Sequence, residues 1–250
     1  MEFTVDNFKD GERCVKLAKA IIFDLDDTLL SYREACDVAW KKVGVEFAAK
    51  YDHLFDSETL LRAVSEASSR YWSDKKRDQW GRLNMFEARR IVVASAFEKL
   101  DIKNKLLSDD IADTYSQLQY EYIKPFPGAI ETLEALVKMN VRLILITNGS
   151  TLLQWAKIKR FKLQRYFEEC LVEGDLDFGK PDIRIFNMAI KRLGLPVEKV
   201  WSIGDNLEWD IQIPQMLGMY AVWNDYKSAG LPENSLIVPD RIINGIHELL

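Results

Sequence analysis

Apolar and polar positions along this 250-residue chain follow two different rhythms. Over the C-terminal half, short apolar runs alternate with segments of helical spacing. The run VRLILIT at 141–147 predicts a strand, followed by a helix over about 152–161. A shorter strand is expected at 170–173. A helix follows at 182–193, its inner face marked by Ile185, Phe186, Ala189, Ile190 and Leu193. Two more strands are expected at 200–204 and 220–223, and an earlier one at 21–25. Strands alternating with helices imply a parallel sheet, Rossmann-like, with helices on both faces.

Residues 32–124 break that alternation. They offer no clear strand, and their apolar residues recur at helical spacing: Leu60, Leu61, Val64, Ala67, Tyr71 and Trp72; then Ala88, Ile91, Val92 and Ser95; then Ile111, Tyr115, Leu118 and Tyr122. Gly81 and the charged run Asp74 to Asp78 punctuate these helices. The segment Pro125-Phe126-Pro127-Gly128 closes them, since proline forces an extended or turning chain. The expected organisation is an α/β core from 1–31 and 125–250, with an α-helical domain, 32–124, inserted after the first strand.

Composition narrows the class. A hydrophobic fraction of 48% supplies a sizeable core, and a net charge of −5 disfavours a dedicated nucleic-acid or anionic-membrane binder. No apolar stretch reaches the roughly 18 residues of a membrane span. The first residues carry charges where a signal peptide needs its apolar run, so a cytoplasmic location is expected. Cys14, Cys36 and Cys170 are widely spaced, without a CxxC pair, and read as idle thiols. His53 and His247 lie far apart in sequence, which disfavours a histidine triad or a zinc site. The chemistry must rest on carboxylates, lysines and hydroxyls.

Those groups gather in four segments. FDLDDTL, with Asp24, Asp26, Asp27 and Thr28, ends the first strand. Thr147-Asn148-Gly149-Ser150 closes the second. Gly179-Lys180-Pro181-Asp182 opens a helix, and Gly204-Asp205-Asn206-Leu207-Glu208-Trp209-Asp210 follows the strand at 200–204. Carboxylates placed at buried strand ends cost several kcal/mol unless paired or metal-bound. The carboxyl edge of an open α/β sheet is also where ligands bind. A divalent cation there would lower the repulsion between a carboxylate nucleophile and a phosphate dianion. Mg²⁺ takes oxygen ligands, and Asp24 and Asp205 could supply two. Lys180 would add a positive charge, Thr147 a hydroxyl donor, and the amides around Asn148 further phosphate contacts. Singly, each residue has a plainer reading as a turn, cap or solvated side chain. Asp27 keeps that plainer reading.

In this order the four segments resemble the signature motifs of the haloacid dehalogenase-like hydrolase superfamily, over residues 20–223; the helical insert matches only in position and character. The resemblance implies that Asp24 is a nucleophile forming an aspartyl-phosphate. It implies that Asp26 is a general acid and base whose backbone carbonyl joins Asp24 and Asp205 on Mg²⁺. Thr28 would order the loop and Asp210 would support the metal. An aspartate at 26 favours phosphomonoester hydrolysis over dehalogenation, because an alkoxide leaving group needs a proton and a halide does not. The insert resembles a mobile cap, which favours a small phosphorylated metabolite as substrate. Candidate specificity residues are Tyr32, Arg33, Trp72, Lys75, Lys76, Arg77, Trp80 and Arg82, although Trp72 could pack the cap core and Lys75 to Arg77 form a solvated face. Alternatives are a phosphosugar mutase and a non-catalytic phosphate sensor. The family often has proline where Ile183 stands, and a small polar residue where Trp209 stands. Asp205 could instead cap the next helix, and Pro214 requires that helix to begin near it. Monomer and homodimer are both open.

Overall fold

The computed structural model describes residues 18–250. Cys14 and the charged opening segment lie outside the described residues. The chain divides into two compact units. One comprises the described residues up to Leu30 with Pro125–Asn148 and Leu152–Leu250; the other comprises Ser31–Lys124 with Gly149–Thr151.

The first unit is built on six parallel strands: β1 (Ala20–Phe23), β2 (Arg142–Thr147), β3 (Glu169–Val172), β4 (Val200–Gly204), β5 (Tyr220–Asn224) and β6 (Arg241–Ile243). Their order across the sheet is β3-β2-β1-β4-β5-β6. The chain leaves β1 to one side for β2 and β3, then returns to its other side for β4. That reversal opens a crevice beyond the carboxyl ends of β1 and β4. Ile22 pairs with Ile144 on one side and Ser202 on the other, so both carboxyl ends finish level. The three-residue β6 was not legible as a strand: a half-exposed edge triplet carries no periodic pattern.

Burial on both faces explains the near-continuous apolar strands. Ala20, Ile22, Ile144 and Ile146 pack against Ile185, Phe186, Ala189 and Leu193 of the helix Ile183–Leu193. Their alternates Ile21, Phe23, Leu143 and Leu145 face the other way and are equally buried. Asp182 caps that helix by accepting from the Arg184 amide at 2.9 Å, and Gly194 ends it in the left-handed conformation at φ 60°. Ile183 therefore begins the helix without difficulty. Pro214 falls in the first turn of the helix Ile213–Met216, where its missing N–H is harmless.

The second unit is helical: α1 (Tyr32–Lys50), α2 (Ser57–Trp72), α3 (Lys75–Leu83), α4 (Met85–Lys99) and α5 (Lys105–Tyr122). Asp56, Asp74 and Asn104 cap α2, α3 and α5. The buried cluster includes Val43, Phe47, Leu60, Val64, Val92, Val93, Phe97, Ile111 and Tyr115. On α4 the inward face runs through Ala88, Val92, Val93, Ala96 and Phe97, and Ile91 is exposed. The expected face was rotated by one position there, because Val93 and Phe97 continue the 3.6-residue stripe and Ile91 does not. Chain entry and exit are tied together: the Ser31 amide donates to the Lys124 carbonyl at 2.9 Å. No helix among the described residues is long and apolar enough to cross a membrane.

Candidate active site

Four of the sequence-predicted residues converge at the β1 and β4 ends. The Asp24 amide donates to the Ile203 carbonyl at 2.9 Å, so Asp24 extends β1 by one residue beside β4. Asp205 follows β4 directly. Asp210 returns to it through a wide helical turn, Leu207–Gln212, which Asn206, and not Asp205, caps by accepting from the Trp209 amide. Oxygens of Asp24, Asp205 and Asp210 lie within 4.8 Å of one another. Gly204 is required for this approach: a Cβ there would sit 2.2 Å from the Asp210 carboxyl carbon. Trp209 does not displace Asp210, whose backbone carbonyl accepts from Ser202 at 2.9 Å.

Lys180 lies between two of these carboxylates. Its ammonium donates to Asp24 Oδ1 and to Asp210 Oδ1, both at 2.6 Å, and its side chain is 3% exposed. Asn148 fixes it there: the Asn148 amide donates to the Lys180 carbonyl at 2.6 Å and its oxygen accepts from the Lys180 amide at 2.8 Å. The Asn148 side chain is therefore taken up by the lysine loop.

Three carboxylates against one ammonium leave an excess of negative charge in a water-poor site. Burial is the main cause that pushes the Asp24 carboxyl up to about 7, Lys180 opposing and Asp210 assisting. Burial, then Asp24 and Asp210, push Asp205 up to about 9. Burial alone would depress the Lys180 ammonium, but Asp210 and Asp24 outweigh it and hold it above its ordinary range. Asp24 Oδ2 is buried with no hydrogen-bond partner. Three carboxylates this close, with one Asp24 oxygen left without a partner, make a donor set suited to a hard divalent cation.

Asp26 points elsewhere. Lys157 Nζ donates to Asp26 Oδ1 at 2.7 Å and also to Oδ2, and Gln154 Nε2 donates to Oδ2 at 3.1 Å. The same Gln154 amide donates to the Thr147 hydroxyl. Gln154 and Lys157 were missed in the sequence. The available signal was their i, i+3 spacing on the helix Thr151–Arg160, which puts both on one side just after the second motif. Asp27 is buried in the left-handed region at φ 63°, its amide donating to the Leu30 carbonyl. The Thr28 hydroxyl is buried with no hydrogen-bond partner, so no side-chain hydrogen bond ties it to the loop.

The remaining candidates separate clearly. Lys75, Lys76 and Arg77 are exposed on the first turn of α3, and Trp80 is also exposed. Trp72 packs against the helical unit's core, and Arg82 pairs with Asp78. Arg33 is exposed, and the Tyr32 hydroxyl accepts from Arg89 at 3.3 Å. His53 and His247 are both exposed. Among the described residues Cys36 and Cys170 form no disulfide, and burial pushes the Cys170 thiol up to about 12, which suits an inert side chain.

Raised carboxyls make stability depend on pH in a defined sense. An unfolded aspartate loses its proton near 3.9, whereas folded Asp24 and Asp205 hold theirs to about 7 and about 9. The folded chain then binds more protons than the unfolded chain between these values, so its stability falls as pH rises through that window. In chelator, melting should drop on the order of 5 °C from pH 5.5 to pH 8.5, with a flatter profile in Asp205→Asn. Equal slopes in the two proteins would contradict this electrostatic account.

A family model of haloacid dehalogenase-like hydrolases matches residues 18–218. A glyceraldehyde 3-phosphate phosphatase of Methanocaldococcus jannaschii is 28% identical, covering 94% of this chain and 96% of that protein. A ribulose-1,5-bisphosphate 5-phosphatase of Halopiger xanaduensis is 31% identical, with 84% and 85% covered. Among solved structures, the HAD-hydrolase YfnB of Bacillus subtilis, described with magnesium bound, shares the fold with a TM-score of 0.70 at 19% identity, covering 93% of this chain and 96% of that one. The order of the four motifs, their convergence on one sheet edge and the span of the family match lead to one assignment: this chain belongs to the haloacid dehalogenase-like hydrolases.

Proposed function

We propose that this protein is a Mg²⁺-dependent phosphatase that hydrolyses a small phosphomonoester through an aspartyl-phosphate on Asp24. The observation that carries the reading is Asp24 itself. One of its oxygens is anchored by Lys180, and the other is buried without a partner. The two relatives named above are phosphatases of small sugar phosphates, which supports the same class of substrate here. Asp26, two residues beyond the nucleophile, distinguishes this site from a dehalogenase's.

Asp24, Asp205 and Asp210 would hold the metal, with the Asp26 carbonyl as a further oxygen. Bound Mg²⁺ supplies charge neutralisation between the nucleophile and the phosphoryl oxygens. One Asp24 carboxylate oxygen attacks phosphorus as the bond to the leaving oxygen breaks, and Asp26 passes its proton to that oxygen. Water then attacks the aspartyl-phosphate, Asp26 takes its proton, and the Asp24–phosphorus linkage breaks to release phosphate. Lys180 offsets charge on Asp24 throughout. The Thr147 hydroxyl accepts from Gln154 and so has its own proton free for a phosphoryl oxygen. Lys157 and Gln154 hold Asp26 in one orientation. We read the unit Ser31–Lys124 as the cap that selects the substrate.

Phosphate release from p-nitrophenyl phosphate with and without Mg²⁺ tests the reading. Asp24→Asn should lose nearly all activity. Asp26→Asn should lose about 10²–10⁴-fold on an alkyl phosphate and less on the aryl one, whose leaving group needs little protonation. Equal activity in wild type and Asp24→Asn would exclude this nucleophile.

Lys157→Met carries a separate expectation. Its kcat on glycerol 3-phosphate should fall roughly 10-fold or more with little change in KM, and by less on p-nitrophenyl phosphate. An equal loss on both substrates would show that Lys157 does not act through Asp26.

A further inference from the structure

Two consecutive residues at the end of β5 reach the backbone of both aspartate-bearing loops. Trp223 pairs in register with Gly204 on β4, and Asn224 is the last residue of β5. Successive strand residues point to opposite faces, so the two side chains leave the strand on different sides. The Trp223 indole Nε1 donates to the Asp205 carbonyl at 2.7 Å. Asn224 Nδ2 donates to the Asp27 carbonyl at 3.3 Å, although β4 lies between β1 and β5. One bond thus lands on Asp205 itself and the other on the residue after Asp26.

The Trp223 ring packs with Leu207 and Ile211, which precede and follow Asp210 in the wide helical turn. A single side chain therefore bears on two of the three clustered carboxylates. Asp27 holds a left-handed backbone at φ 63°, which a non-glycine residue keeps only where its neighbours over-determine it. Its amide is tied to the Leu30 carbonyl and its carbonyl to Asn224. Asn224 is 1% exposed, and its own oxygen is buried with no hydrogen-bond partner. An unpaired buried acceptor is destabilising, so one half of this amide weakens the fold while the other half holds the Asp27 loop. The strand end is itself fixed from behind. The Asp225 amide donates to the Ile243 carbonyl of β6 at 2.7 Å, and the Asp225 carboxylate accepts from the Ala229 and Gly230 amides at 3.1 and 2.7 Å.

We propose that Trp223 and Asn224 are positioning residues for the divalent cation: from one strand end they fix the spacing between Asp205 and the loop that carries Asp24 and Asp26. Each acts through a backbone carbonyl and neither is a catalytic residue. This rests on the metal reading above and adds to it the residues that set metal affinity. Contacts that orient metal ligands from outside typically change affinity by about 10–100-fold when removed.

Calorimetric titration with Mg²⁺ decides it. Trp223→Phe keeps an aromatic ring in the cluster and removes the N–H, and Asn224→Leu keeps the volume and removes the amide. In each, Mg²⁺ should bind about 10-fold or more weakly. Their kcat on p-nitrophenyl phosphate at saturating Mg²⁺ should stay within roughly 3-fold of wild type. Trp201→Phe makes the same ring reduction at a buried position on β4, beside the Tyr220 ring, and should lower the melting temperature without changing Mg²⁺ affinity. In wild type, the assigned Trp223 indole N–H resonance should shift as Mg²⁺ is added, with the midpoint that calorimetry gives; this readout needs neither a variant nor turnover. Unchanged affinity in both variants, or an indole resonance that Mg²⁺ leaves in place, overturns the proposal. A kcat that stays low at saturating Mg²⁺ equally overturns it, since the defect would not lie in metal binding. A wild type that binds no Mg²⁺ refutes the metal reading and the positioning role together, whereas wild-type binding with unweakened variants refutes the positioning role alone.

Discussion

The contact on which the site depends is the Lys180 ammonium held between Asp24 and Asp210 at 2.6 Å from each. It joins three separate segments in a buried environment, and removing one partner of such a group typically costs about 3–5 kcal/mol. It also leaves the charge unbalanced, because Asp205 stands in the same cluster and, among the described residues, Lys180 is the cation paired with it. The shifts of Asp24 and Asp205 towards the protonated form are the electrostatic expression of that imbalance. The close approach of the carboxylates and their retention of protons thus have one origin: a cluster that its lysine only partly neutralises.

The sheet makes this convergence possible. Because β1 lies between β2 and β4, the residues just past β1 and β4 are neighbours although some 180 residues separate them in sequence. Parallel pairing in level register brings Asp24 and Asp205 to one edge. Local details then aim the side chains. Gly204 leaves room for Asp210, Asn148 clamps the Lys180 backbone, and Gln154 links Asp26 to Thr147.

Much of this was legible in the sequence because strand ends announce themselves: an apolar run stopped by aspartates is visible without coordinates. Asp24 and Asp205 were found that way; Lys180 and Asp210 came from the order of the four motifs, and the alternation of the core and the helical character of 32–124 from periodicity. What escaped has a common physical cause. Lys157, Gln154 and Arg89 are polar residues on helices whose periodicity reads equally well as a solvated face, and only tertiary packing reveals them as buried. The same limit misplaced Ile91, since a helical stripe can be phased one residue either way. Asn148 belonged to the right motif, but its partner, the Lys180 backbone 32 residues on, follows from loop geometry that no local pattern encodes.

The central claim is that a divalent cation completes a carboxylate cluster which otherwise retains protons. Calorimetric titration of the full chain with Mg²⁺ at pH 7, in buffers of differing ionisation enthalpy, counts protons released per ion bound. The account predicts saturable binding with release of roughly one to two protons. Binding with no proton release, or no binding at millimolar Mg²⁺, would contradict it.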